Sequence, residues 1–148
     1  MSYREKSAWI CLLAIVAVQL PYFVHVAALF AHGPVAIGSL MGPFIVATGA
    51  QALLTGVAHA LVTRQARCER PDERDAAIDS AAFRRGYAVL SAAVFCALFG
   101  AFAVDRATGA PALMQLVLLA WVLAEVVKYA SRAWDYRRDV LGASGAAG

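Results

Sequence analysis

Four long apolar runs divide this chain, and they limit its fold more than any other feature. Each run is 19 to 24 residues long, and they cover residues 8–31, 44–63, 86–104 and 112–131. An α-helix of about 20 apolar residues crosses the roughly 30 Å hydrocarbon core of a bilayer while satisfying its own backbone hydrogen bonds. The runs lack the alternating polarity of a membrane β-barrel. The sequence therefore predicts an all-α integral membrane bundle of four transmembrane helices.

The composition agrees with a membrane protein. Of the 148 residues, 61% are hydrophobic and 16% are charged, whereas soluble domains carry about 25% charged residues. We predict one transmembrane domain over residues 1–141, followed by a disordered tail of small residues at 142–148. A basic stripe with interleaved aromatic residues is missing, so a nucleic-acid partner is not expected. Cys11 and Cys96 lie inside apolar runs, where a thiol acts as a small hydrophobic group.

The start of the second helix is ambiguous, because two Gly-Pro pairs precede its apolar run. A proline is tolerated in the first turn of a helix, so Pro43 places the start near Phe44. Residues 32–43 then form an outer loop. A start near Val35 is the alternative, and it requires strong tilt or a kink at Pro43.

Positive charge is distributed very unevenly between the two sides of the predicted bundle. Of the 13 Lys and Arg residues, all except Arg106 precede the first run, lie between the second and third, or follow the fourth. Positive residues stay in the cytoplasm. Both termini are therefore expected there, in a multi-pass membrane protein with the lipid bilayer as its partner. The aromatic residues expected at this inner boundary are Trp9, Tyr129, Trp134 and Tyr136.

The densest run of charge, "CERPDERDAAIDS", occupies residues 68–80 between the second and third runs. Asp72, with an acid three residues later at Asp75, is typical of a helix N-cap, so a helix should begin near Glu73. A helix over residues 73–104 is about 48 Å long at 1.5 Å per residue. The hydrocarbon core is only about 30 Å thick. The first third of helix 3 should therefore extend into the cytoplasm.

Three carboxylates recur along this extension at helical spacing, and three interpretations of them stay open. Arg74 and neighbouring arginines can neutralise them in a solvated helix start. They can instead hold a divalent cation or support phosphate chemistry, although the spacing lacks the glycine and the two further acids expected of a CDP-alcohol phosphotransferase motif. Finally, they can dock a soluble cytoplasmic protein. The candidate docking residues are Asp72, Glu73, Arg74, Asp75 and Asp79.

Two ionisable residues fall inside the predicted spans, where such residues are costly and often functional. Glu125 lies about 9 Å and His59 about 7.5 Å below the inner boundary at 1.5 Å per residue. A His59–Glu125 pair across helices can relay a proton or bind a cationic solute. The alternative is structural, in which Glu125 pairs with Lys128 at i+3, or with an arginine at the mouth of helix 3, and fixes the bundle.

Other residues in the spans suggest contacts between helices. Mid-span amides at Gln19, Gln51 and Gln115 are typical of interhelical hydrogen bonds more than of a transport path. Small residues recur every seven positions along helix 2 and permit close helix packing, either within the bundle or in a homo-oligomer. These are Gly42, Gly49 and Gly56.

Three stretches of the chain resemble one group of proteins. They are "YREKSAWI" at the start, "ERPDERDAAID" in the charged connection and "LAEVVKYASRAWDYRR" in the last helix. Together they look like a family of small, uncharacterised four-helix bacterial membrane proteins with a DERD-type cytoplasmic loop. The resemblance spans most of the chain, except the glycine-rich segment 32–42, and implies the fold and a location in the bacterial inner membrane. Some members are thought to lie beside small helix-turn-helix regulators, which implies a regulatory or sensing role by association.

Two functions follow as hypotheses. The first is an interaction or regulatory membrane protein that acts through its acidic cytoplasmic loop. The second is a small oligomeric solute or proton-coupled transporter that uses Glu125 and His59. No set of residues reaches the standard of a catalytic, metal-binding or cofactor-binding motif, so an enzyme and a bound metal or cofactor are not expected.

Overall fold

The computed structural model describes residues 3–63, 73–101 and 106–145, and they form four α-helices. In chain order these are α1 (Tyr3–Ala31), α2 (Ile37–Thr63), α3 (Glu73–Ala101) and α4 (Arg106–Gly145). Each contains a stretch long and apolar enough to cross a membrane. The predicted all-α class and the four candidate spans are therefore confirmed.

Helix α2 begins at Ile37, before Pro43 and not at Phe44 as predicted. Its first turn is closed by Ser39, whose backbone N–H and hydroxyl both donate to the carbonyl of Ala36, at 3.1 Å and 2.7 Å. Pro43 is thus inside the helix, where a membrane helix tolerates a proline more readily than a soluble one does. The connection from α1 is short and turns at Gly33, whose φ of 138° favours glycine.

Helix α4 is 40 residues long, about 60 Å at 1.5 Å per residue, and exceeds the predicted span at both ends. It runs through Pro111, which was expected to precede it, and continues to Gly145. Residues 142–145 are thus helical where a disordered tail was predicted, and 146–148 lie outside the described residues. Helix α3 is already formed at Glu73, in agreement with the predicted helix start.

The helices pack in the order α2, α1, α4, α3. Helix α4 packs against both α3 and α1, and α1 also packs against α2. Within the described residues, α2 and α3 therefore lie at the two ends of this order. We call the end of the protein at which α1 and α3 begin and α2 and α4 end the charged end.

Helix α1 supplies the central surface. Most of its buried residues recur at three- or four-residue spacing, which places them along one side of the helix. They are Glu5, Ala8, Cys11, Ala14, Ile15, Gln19, Tyr22 and Val26. Away from the charged end, Tyr22 and Val26 pack with Leu40 and Ala47 of α2 in an apolar cluster. Helix α1 thus holds α2 on one side and α4 on the other.

Candidate functional site

Ionised side chains from three helices meet at the charged end. Arg4 of α1 places Nε 3.2 Å from Oδ2 of Asp75 and Nη1 3.6 Å from Oδ2 of Asp79. Arg132 of α4 places Nε 2.8 Å from Oδ1 of Asp79 and donates from Nη2 to Oδ2 at 3.3 Å. The Tyr136 hydroxyl donates to Oδ1 of Asp75 at 3.0 Å. We call these five residues the charged network.

The charged network is sheltered in part. The side chains of Arg4 and Arg132 are each 22% exposed and that of Asp75 is 19% exposed, whereas that of Asp79 is 40% exposed. Partial burial and several simultaneous contacts strengthen such pairs, whereas isolated exposed pairs contribute little. The Arg85–Asp135 pair between α3 and α4 is nearby, but the Arg85 side chain is about half exposed, at 49%. The charged network therefore ties α3 to both α1 and α4.

The candidate docking residues have different positions. Asp75 and Asp79 are held in the charged network by arginines of α1 and α4, whereas the sequence alone suggests Arg74 and neighbouring arginines as their partners. Glu73 and Arg74 are exposed on the first turn of α3, and both interact with other residues. Asp72 lies outside the described residues. Over the part of the chain that the structure describes, no cluster of three or more His, Cys, Asp or Glu is arranged to hold a metal ion.

His59 contacts α1 through Ser7 and Cys11. Its Nδ1 lies 3.1 Å from the carbonyl of Thr55. A carbonyl only accepts, so Nδ1 carries a proton. Its Nε2 lies 2.8 Å from the Ser7 hydroxyl and 4.0 Å from the Cys11 thiol. In the neutral ring Nε2 therefore accepts from Ser7, and His59 joins α2 to α1.

A series of polar contacts continues from Cys11 to α4. The Cys11 thiol of α1 and the Tyr129 hydroxyl of α4 lie within electrostatic range of each other. The Lys128 ammonium lies 4.6 Å from the centre of the Tyr129 ring and also donates to Glu125. We call the series from His59 through Cys11, Tyr129 and Lys128 to Glu125 the polar chain. The predicted Glu125–Lys128 pair is confirmed, while direct pairing of His59 with Glu125 stays a prediction.

Glu125 and Lys128 also line a groove between α3 and α4. Its volume is about 90 Å³, and Phe83, Gly86, Tyr87 and Trp121 are among its other lining residues. The two charged side chains are about one-quarter exposed, at 27% and 25%. The volume suits a few water molecules or a small ion. A drug-sized solute needs a pocket of at least about 300 Å³.

The three mid-span amides form hydrogen bonds between helices, as predicted. Gln19 of α1 donates from Nε2 to Oε1 of Gln51 of α2. The hydroxyl of Tyr22 on α1 donates to Oε1 of Gln115 on α4 at 2.9 Å. Such bonds stabilise contacts between membrane helices, where no hydrophobic effect drives association.

The glycine stripe of α2 does not pack within the described chain. A Cβ atom built on Gly42, Gly49 or Gly56 meets nothing within 4 Å. The close approach lies instead at Gly86 of α3, where a Cβ would come 3.0 Å from the carbonyl oxygen of Ala124 and 3.1 Å from Cβ of Lys128. The prediction that the stripe packs within the bundle is therefore wrong. That it packs in a homo-oligomer stays a prediction.

Sequence reasoning missed several members of these sites. Arg4 and Arg132 were counted only as topology signals, and Cys11 was expected to act as a hydrophobic group. Glu5 is buried, at 4% exposed, in the first turn of α1 and interacts with other residues. Arg4, Ala8 and Cys11 are spaced so that they share one face of α1, and this spacing could have indicated that Arg4 and Cys11 lie on the packed side of the helix.

Comparison of the chain with protein-family models, curated proteins and solved structures gave no match. The resemblance to small four-helix bacterial membrane proteins therefore stays a prediction.

Proposed function

We propose that this chain is a multi-pass protein of the bacterial inner membrane that regulates or recruits a soluble cytoplasmic protein through the charged end of α3 and α4. The cytoplasmic location of the charged end is supported by the distribution of positive charge, because 12 of the 13 Lys and Arg residues follow the positive-inside rule. The observation that carries the proposal is the charged network, which fixes a polar, surface-exposed segment of α3 against two other helices.

Length supports a projection beyond the bilayer. The polar segment of α3, residues 73–85, precedes its apolar run and rises about 20 Å at 1.5 Å per residue. Helix α4 contacts this segment through Arg132, Asp135 and Tyr136 and continues to Gly145. A surface that is already ordered loses less conformational entropy on binding than a mobile loop does. The charged network therefore favours recognition by a rigid surface.

The candidate docking residues then have two roles. Asp75 and Asp79 position α3, because their carboxylates form ion pairs with Arg4 of α1 and Arg132 of α4. Glu73 and Arg74 are exposed and contact the partner. Asp72, the remaining acidic candidate, lies outside the described residues.

Affinity capture from native membranes in mild detergent tests this proposal. The double variant Glu73→Gln, Arg74→Gln is expected to lose a soluble protein that the wild type retains. Arg84→Gln is the matched control, since Arg84 is exposed on the same helix and donates to Ser80 one turn earlier. It should retain the partner. Capture of the chain alone by the wild type, or equal capture by the double variant, would contradict the proposal.

A second proposal is a small oligomeric transporter of protons or a small cation that uses Glu125 and His59. The polar chain supports it, because it connects α2, α1 and α4 within the predicted spans. The groove of about 90 Å³ beside Glu125 favours a small transported species. In proteoliposomes, Glu125→Gln is expected to abolish the flux while the protein remains folded. Wild-type protein without any flux above empty vesicles would exclude this function.

A further inference from the structure

A second groove at the charged end is lined by tryptophan, arginine and aliphatic residues. It lies between α1 and α4 and has a volume of about 340 Å³. We call it the Trp-Arg groove, after the residues on its walls. These are Trp9, Leu12, Ala130, Trp134, Arg137 and Arg138.

The groove has cations at its rim, and a buried hydrogen-bond donor belongs to one of its lining residues. Arg137 and Arg138 are exposed, and among the side chains that the structure describes neither has an acidic partner. Arg4, Arg85 and Arg132 on the same end are all in ion pairs. The indole Nε1–H of Trp9 is buried and has no acceptor among the described residues. Guanidinium and indole groups only donate, so the groove is suited to an anion with several acceptor oxygens.

The inner part of the groove is apolar. Leu12 and Ala130 lie one to two turns from the arginines and indoles along their own helices. From Ala130 to Arg137 the rise is about 10 Å at 1.5 Å per residue. Tryptophan is enriched where membrane helices cross the headgroup region. The Trp-Arg groove therefore runs from a cationic rim into an apolar floor at the level where lipid phosphates meet acyl chains.

We infer that the Trp-Arg groove binds one anionic phospholipid, such as phosphatidylglycerol. Arg137 and Arg138 contact the phosphate, Trp9 donates to a phosphate or ester oxygen, and an acyl chain lies against Leu12 and Ala130. Basic pockets between membrane helices are suited to anionic headgroups. An apolar floor distinguishes this ligand from free phosphate. The inference requires only that α1 and α4 span the bilayer, so it is independent of the proposed function.

Native mass spectrometry of the purified full chain tests the inference, with phosphatidylglycerol and phosphatidylcholine of matched acyl chains added in equal amounts. The wild type is expected to retain phosphatidylglycerol preferentially. The double variant Arg137→Gln, Arg138→Gln should bind it about 30-fold more weakly, which is about 2 kcal/mol for two cations near an anionic headgroup. Arg84→Gln is the matched control and should bind as the wild type does.

Two further measurements examine the role of Trp9 and the source of the phosphate. Trp9→Phe keeps an aromatic ring and removes the donor, so it should weaken retention of both lipids several-fold, because both carry phosphate and ester oxygens, and leave the preference for phosphatidylglycerol unchanged. Millimolar inorganic phosphate should not displace the lipid. Equal retention of both lipids by the wild type, an unchanged preference in the double arginine variant, or displacement by inorganic phosphate would overturn the inference.

Discussion

Arg4 and Asp75 connect the first turns of α1 and α3, with Nε of the arginine 3.2 Å from Oδ2 of the aspartate. Each of these helices packs extensively against α4. The ion pair therefore closes the charged end of a helix order that is otherwise held together through α4. It also neutralises one of the acids that sequence reasoning assigned to a binding partner.

Removal of Arg4 should destabilise the protein. In Arg4→Gln, Asp75 keeps its position at 19% exposure but loses its cation. We expect a loss of about 1–2 kcal/mol in the free energy of unfolding, less than for a fully buried pair because water screens part of the interaction. Thermal unfolding in detergent, followed by circular dichroism, measures the change. Arg84→Gln is the control, and equal stability of the two variants would show that the ion pairs of Arg4 contribute nothing.

Larger side chains at Gly86 and Gly49 should affect the stability of the protein differently. Gly86→Leu introduces atoms where even a Cβ meets the Ala124 carbonyl at 3.0 Å. Overpacking of this kind costs about 1–3 kcal/mol. Gly49→Leu meets open space and should leave the unfolding of the chain itself nearly unchanged. Unfolding in detergent compares the two. If Gly86→Leu is as stable as the wild type, the result would contradict the close packing of α3 against α4 at this position.

The same Gly49→Leu variant examines association through the glycine stripe. If the stripe forms a homo-oligomer, the larger side chain prevents close approach of two α2 helices. Sedimentation in detergent should then show an oligomer for the wild type and a smaller species for the variant. Identical sedimentation of both proteins would exclude the stripe as the contact.

Glu125 and Lys128 should be coupled. Lys128→Gln leaves the Glu125 carboxylate within a span without its hydrogen-bonded cation, and Glu125→Gln does the converse. Removal of one partner of a sheltered pair is more costly than replacement of both. The variant with both substitutions should therefore be more stable than the sum of the two single effects predicts. A double-mutant cycle on unfolding free energies measures the coupling, and strict additivity would show that the pair is energetically independent.

Local patterns predicted much of the fold. Apolar runs of about 20 residues identify membrane helices because the bilayer sets their length, and all four candidate spans were found. The contact of Glu125 with Lys128 was predictable because i and i+3 are neighbours on any helix. The start of α2 was placed too late because the proline rule from soluble helices is weaker in a membrane.

Long-range partners were beyond sequence reasoning. Arg4, Asp79 and Arg132 meet because α1 and α4 happen to flank the start of α3. The spans are apolar on most faces, so a hydrophobic stripe does not indicate which helices are neighbours. For the same reason His59 was matched to Glu125 by depth, while its observed contacts with Ser7 and Cys11 depended on the packing of α2 against α1.

Site-specific photo-crosslinking in living cells tests the proposed recruitment of a soluble protein most directly. A benzophenone amino acid at Ala76, which is exposed one turn after Glu73, samples the proposed surface without replacing a contact residue. The same group at Leu98, exposed in the apolar half of α3, is the control. The account predicts a crosslink to a soluble cytoplasmic protein from position 76 and none from position 98. Crosslinks from position 76 only to lipid or to the chain itself would contradict it.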